Sequence, residues 1–406
     1  MYTMKFTKFV LFAASFLLML ACSKQSAETP QKPQEEAWTK DETLKVPIRF
    51  GTSTFTQVTK TMVNQWKDMD ERLGVFALNL SGEEGLLQDS YDIYMDNEPA
   101  TCVSNPDNGK DMIEFEESKF YPYASDRNLT FVSYYPYFEA NPIEYAADSI
   151  VVPIPTAEWG KHDIMYASSF AERMYVKYDG TSYVPAENGV DATNYYDGYN
   201  ATYMRYLYRN GLYDEKMPHL HFSHKTTCLM FEAFLKEDQM QGVQAPIIQA
   251  IEITGLEIYD EAKLVVAKKD ADSDWTGELL VEGTPGSTLK IGGQNAENLN
   301  AVPDADGKYI LPDYQFFLQP MPTSSDLSLK ITLENPANGQ TMLFVAAVPK
   351  VTEIEEFKAG HYYPFKITVN HFTGIEISAS VDAWRPGWAD GGDRDTIGED
   401  APSGSL

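Results

Sequence analysis

The sequence predicts an all-β protein folded as β-sandwiches, and three observations predict it. Short runs alternate apolar and polar residues: Val46, Ile48 and Phe50 share one face of 45–52, Leu327, Leu329, Ile331 and Leu333 one face of 327–334, and Ile375, Ile377, Ala379 and Val381 one face of 375–382. A period of two is that of a half-buried strand. Proline, glycine and asparagine close these runs, and no long stretch carries a convincing helical period. Many short, punctuated strands pack as sandwiches. Length supplies the third observation, since about 380 of the 406 residues follow a leader and fill two domains of roughly 100–200 residues each.

The leader is residues 1–22. Two lysines and no acid lie in 1–8, Phe9 to Leu20 is uncharged and almost wholly apolar, and Ala21 precedes Cys22. This is the charged and apolar plan of an export signal. The apolar run is too short for a bilayer, which needs ~20 residues. Leu17-Leu18-Met19-Leu20-Ala21-Cys22 resembles a lipobox, with Met19 where leucine is usual; the resemblance implies cleavage before Cys22 and lipid on its sulfur. Residues 23–43 are rich in Gln, Ser, Pro, Lys and Glu and read as a flexible tether. A formal net charge of -28, from 32 basic and 60 acidic residues, argues against nucleic acid and against docking on anionic lipid. Cys102 and Cys228 are either a disulfide of an oxidising compartment or two buried thiols.

The first domain is assigned to 44–217. Its opening strand, Lys45 to Thr52, contains Pro47, which cannot donate to a ladder and so belongs at an edge or beside an open side. Thr56 to Arg72 reads as a loop or short surface helix whose Lys60 and Arg72 are candidate cut sites for a trypsin-like protease. Leu73 to Leu80, Tyr91 to Val103, Met112 to Phe120, Asn128 to Tyr137, Ser149 to Ile154 and Asp163 to Ala167 are further strand segments. The region 174–213 is crowded with tyrosine and reads as a long inserted hairpin packed by its own rings. Tyr195, Tyr196, Tyr199 and Tyr203 are its candidate glycan platform, because a phenol ring offers a flat apolar face and a hydrogen-bonding rim.

The second domain is assigned to 218–388. Leu229, Phe231, Ala233 and Leu235 share a face, further short strands come after them, and Met342 to Val348 is an uninterrupted apolar run. The tail 389–406 is Gly, Asp and Ser and reads as disordered. His219, His221 and His224 lack a fourth ligand for a tetrahedral metal set. Asp270, Asp272 and Asp274 mimic a calcium loop, but Trp275 stands at its glycine position. Serine-hydrolase, zincin and phosphate-loop motifs are missing from the sequence. The sequence thus assigns no catalytic residue, no metal ligand and no cofactor beyond the diacylglycerol and acyl lipid expected on Cys22.

The order of Val-Pro-Ile-Arg-Phe at 46–50, Leu-Gly-Val-Phe-Ala at 73–77, Phe-Val-Ser-Tyr-Tyr-Pro at 131–136, Asp-Ile-Met-Tyr-Ala at 163–167, Leu-His-Phe-Ser-His-Lys-Thr-Thr at 220–227, Ala-Gly-His-Tyr-Tyr-Pro-Phe-Lys-Ile-Thr-Val-Asn at 359–370 and Gly-Ile-Glu-Ile-Ser-Ala-Ser-Val-Asp-Ala-Trp at 374–384 resembles the fimbrillin-like family of type V pilus lipoproteins. The resemblance implies two tandem transthyretin-like sandwiches, a lipid-anchored place on the outer-membrane surface in a fimbrium, and no enzymatic activity. It implies that a protease removes the first strand, with Val46, Ile48 and Phe50 as plug residues, and that a neighbouring subunit donates a replacement. Because the tail after Trp384 is too polar to donate, donation would use the candidate final strand of Ile375, Ile377, Ala379 and Val381 or not occur. A fimbrial subunit or tip adhesin is the leading expectation. The alternative is a glycan-binding surface lipoprotein that never polymerises and uses the tyrosine-rich insertion.

Overall fold

The computed structural model describes residues 44–383 apart from 53–71, 80–92, 105–110, 123–127, 140–141, 147–148, 170–173, 179–182, 186–193, 197–198, 237–243, 269–276, 292–297, 313, 324–326, 349–355, 371–373 and 380–381. The described residues are nearly all β, with sheets stacked into sandwiches and two short helices. Cys22, Lys60, Val381, the three calcium-like aspartates and the tail 389–406 lie outside the described residues.

The first sandwich is built on a nine-stranded sheet. Leu73–Asn79 runs at its centre, antiparallel to Ile93–Ser104 on one side and Asn128–Tyr135 on the other. Side chains of a strand point alternately to the two faces, and here both faces are apolar. Val75 and Ala77 join a core shared with Val46, Ile48 and Phe50, while Phe76 and Leu78 join the opposite core with Val132, Tyr134 and Tyr166. Layers therefore cover both faces.

The layer over Phe76 and Leu78 departs from sequence order. Glu261–Lys268, which lies within 218–388, pairs antiparallel with Ser149–Ile154 and with Glu278–Glu282. Ala262, Leu264 and Val266 complete the core under Phe76 and Leu78. The first sandwich thus takes its covering hairpin from beyond position 218, across the boundary expected from the sequence. Pairing partners about a hundred residues apart leave no local signal.

The other face is covered by a helix, Ala201–Arg209, and then by the short helix Tyr213–Lys216. Ala201, Met204 and Leu207 are buried against the first core, and the buried Arg205 donates from Nη1 to the Pro122 carbonyl at 3.0 Å. The tyrosine-rich region is thus only partly the expected hairpin. Met174–Tyr178, Tyr183–Pro185 and Asn194–Tyr196 form a small sheet, and the chain turns helical at Ala201.

The second sandwich packs a six-stranded sheet on a four-stranded one. Thr227–Leu235 runs parallel to His361–Asn370, so the early and late strands of this unit lie side by side. Leu229, Phe231, Ala233 and Leu235 point into its core, with Phe231 stacked on Phe365 at 5.0 Å between centroids. In the facing sheet Leu329, Ile331 and Leu333 are fully buried. Cys102 packs at the first core and Cys228 in a separate small cluster with Phe317 and Tyr362, so the two are thiols and not halves of one disulfide. Burial pushes the Cys228 thiol well up, and Asp163 adds to that rise, so it is not a nucleophile at neutral pH.

Candidate functional site: the seat of the first strand

The site begins with Val46, Ile48 and Phe50, which alternate with Pro47, Arg49 and Gly51 and turn inward together. All three are buried, Phe50 completely. The Phe50 ring meets Phe131 edge-on at 4.9 Å and Phe115 at 6.0 Å. Edge-to-face pairs of this kind add about 0.5–1.5 kcal/mol to the area they bury. Arg49 points outward and pairs with Glu114 at 3.3 Å.

The two edges of the strand are held very differently. Toward the interior of the sheet it has antiparallel partners in two segments, Asp111–Phe115 and 119–121: the Ile48 N–H donates to the Lys119 carbonyl at 2.8 Å, the Tyr121 N–H donates to the Val46 carbonyl at 3.0 Å, and Phe50 lies opposite Ile113. Toward the outside, the only strand neighbour among the described residues is the two-residue His219–Leu220, parallel at Gly51 and Thr52. The Gly51 N–H donates to the Pro218 carbonyl at 3.0 Å. Below that point one side chain replaces a strand. The Tyr213 hydroxyl donates to the Pro47 carbonyl at 2.6 Å and accepts from the Arg49 N–H at 3.2 Å. Pro47 is accommodated because its missing N–H falls on an edge without a ladder.

Tyr213 reaches this position because the helix Ala201–Arg209 packs its apolar side on the first core. The Leu212 N–H caps the Leu207 carbonyl at 2.9 Å, and Tyr213 opens the next helical turn. Its ring is buried and meets Tyr208 at 5.7 Å. Burial is the first cause that raises its phenol above the ordinary value, so it remains a hydrogen-bond donor at any physiological pH. The His219 ring packs closely over Gly51: a Cβ there would sit 2.4 Å from it and force the ring aside.

The structure separates the other sequence candidates. Arg72 immediately precedes the central strand and is engaged four ways: Nη2 pairs with Glu139 at 2.9 Å, Nη1 with Glu116 at 3.8 Å, the guanidinium lies 4.9 Å from the Tyr137 ring centroid, and its carbonyl accepts from the Tyr137 N–H at 2.8 Å. An arginine held this way is a poor protease target. Tyr199 corrects the glycan platform. It is 8% exposed, its ring tilted against Phe131 at 5.7 Å between centroids and its hydroxyl bonded to Ser169, and it is a core residue. Tyr203 packs half-buried against the same core. Tyr195 and Tyr196 lie in the small sheet beyond them. Ile375, Ile377 and Ala379 sit on Gly374–Ala379, paired antiparallel with His361–Asn370 inside the second sandwich.

Sequence reasoning missed Tyr213, 164 positions from the backbone it serves, and no local pattern marks it. It also missed that the His224 ring Nδ1 pairs with Asp163 at 2.5 Å, with the Thr226 hydroxyl donating to the same carboxylate. His219 and His221 instead stack on one another at 6.2 Å. Among the described residues no group of three or more side chains is placed to hold a metal, and no helix is long and apolar enough to cross a membrane.

No family model matches the chain, and no curated protein matches it. Among solved structures, the chain is similar to a candidate cell-adhesion protein from Bacteroides uniformis, with 16% identity and a TM-score of 0.45 over 84% of this chain and 99% of that one. It is similar to a fimbrial protein from Bacteroides vulgatus, with 15% identity and a TM-score of 0.41 over 83% and 99%. It is also similar to the fimbrial anchor protein Mfa2 from Porphyromonas gingivalis, with 11% identity and a TM-score of 0.30 over 84% and 98%.

Proposed function

We propose that this chain is a non-enzymatic fimbrial subunit, anchored by lipid on Cys22 at the cell surface, whose first strand is a plug replaced by a strand from another subunit after a proteolytic cut. The observation that carries the reading is the asymmetry of the plug. Val46, Ile48 and Phe50 are buried among apolar side chains, yet among the described residues the outer edge of their strand is closed only by a phenol and a two-residue strand. A groove vacated by these residues would present apolar pockets and the unpaired groups of Asp111–Phe115 and 119–121, which suits an incoming strand. Three buried side chains at ~1.5–3 kcal/mol each make such a joint long-lived.

The same geometry favours a subunit that accepts a strand without donating one. Gly374–Ala379 is built into the second sandwich, with Ile375 packed on its core, so donating it would open that unit. A terminal position at a tip or an anchor fits such a subunit. The cut would fall within 53–71, with Lys60 preferred, because Arg72 is tied to Glu139 and Tyr137. The test is brief trypsin treatment of the folded protein with N-terminal sequencing and gels in mild SDS. The reading expects one trimmed species beginning at or near Thr61 and SDS-resistant oligomers. An intact N-terminus after prolonged treatment, or trimming without oligomers, contradicts it.

A further inference from the structure

We propose that the strand Thr341–Ala347 is an interface between two copies of this chain, paired antiparallel about a two-fold axis so that two four-stranded sheets join into one. This proposal is independent of strand replacement at the first sandwich. The strand is last in its sheet, paired only with Ser328–Glu334 among the described residues. Its register sets Met342 and Phe344 opposite the buried Leu333 and Ile331 on the inner face, and Leu343 and Val345 opposite Thr332 and Lys330 on the outer face. Both faces are therefore apolar, the pattern of a strand buried on two sides. It is nonetheless open: Met342 is 44%, Leu343 62% and Val345 59% exposed.

The other edges show how this protein ordinarily treats such a strand. Open edges template unwanted pairing and are usually blunted by shortness, charge or proline. Gly286–Lys290 carries Lys290, Glu278–Glu282 carries a glutamate at each end, and Gly374–Ala379 carries Glu376 paired with Lys236. Gln315–Leu318 is bonded outward, its Phe317 N–H donating to the Gly160 carbonyl at 2.9 Å. The remaining edge strands among the described residues are two or three residues long. Thr341–Ala347 has seven residues and no charge, proline or glycine.

The occupant is a second copy, and the charge-free stretch is where two such acidic chains can meet without bringing like charges face to face. Two chains that each carry a formal net charge of -28 repel, and from Asn335 to Pro349 neither contributes a charged residue. An identical antiparallel strand is also self-complementary about a two-fold axis, so every edge amide on one copy finds a carbonyl on the other.

Sedimentation velocity on the uncleaved, full-length protein across the micromolar range tests this, with hydrogen exchange of the 341–347 amides as a second readout. A dimer is expected whose edge amides are protected. Val345→Lys, on an exposed position of an open edge, should keep the circular dichroism and melting of the parent, expose those amides, and raise the dimer dissociation constant by roughly a hundredfold through like charges brought together near the axis. Thr288→Lys, on the opposite edge of the same sheet, should leave the dimer intact. A protein that is monomeric throughout, a Val345→Lys variant that still dimerises, or edge amides equally protected in that variant each overturn the proposal.

Discussion

The two sandwiches differ in how they close. In the first, the seam at Val46–Thr52 is apolar on its inner face only and is shut by a helix-borne phenol and a two-residue strand. In the second, the seam at Thr341–Ala347 is apolar on both faces and open. Apolar pattern alone thus gives no position within a sheet. What separates the two edges is whether something polar has been arranged to satisfy the outward backbone groups, as Tyr213 does for Pro47 and Arg49.

Alkaline pH should break this contrast most strongly. Tyr121, Tyr134, Tyr166, Tyr199 and Tyr213 in the first sandwich, and Tyr309 and Tyr363 in the second, have phenols raised by burial. Each favours the neutral form in the fold, so its contribution is complete below the unfolded value of about 10 and is lost as pH climbs through the raised one. With more such groups, the first sandwich should unfold first. A titration above about pH 10 following tyrosinate absorbance and circular dichroism should resolve two steps, with strands of the second sandwich surviving the first.

Phe50→Ala comes next in size. It empties a site between Phe115 and Phe131 and should cost about 3–5 kcal/mol in denaturant melting. Val345→Ala, at an exposed edge, should change monomer stability by less than about 0.5 kcal/mol. Tyr213→Phe keeps the ring and removes the hydroxyl that serves two backbone groups; a loss of about 1–3 kcal/mol is expected, with faster exchange at the Arg49 amide. Glu139→Gln leaves the half-exposed Arg72 with one partner fewer and should cost about 0.2–1 kcal/mol while easing cleavage after Arg72.

Much of this was legible in the sequence because strand faces are a local property. The inward sets Val46, Ile48, Phe50 and Leu229, Phe231, Ala233, Leu235 come from alternation and are the buried sets of the two sandwiches. Pro47 pointed to a side without a ladder, and Tyr213 occupies that side. Nonlocal pairing was not legible: nothing in Glu261–Lys268 names Ser149–Ile154 as its partner. The helix Ala201–Arg209 was hidden because its tyrosines have strand-like propensity, and packing of Met204 and Leu207 on the first core overrides it. Tyr199 as a sugar platform failed for a related reason, since composition cannot tell a ring that faces solvent from one that fills a core.

The most direct test of the central claim is peptide exchange at the seat of the first strand. The folded protein is cut within 53–71, the protease is quenched, and a labelled peptide of Lys45 to Thr52 is added alongside one carrying Phe50→Asp. Stoichiometric uptake of the native peptide with release of the original strand, and no uptake of the aspartate peptide, is the expected result. Collapse of the cut protein, or equal binding of both peptides, would show that the first strand is a fixed part of the core and not a replaceable one.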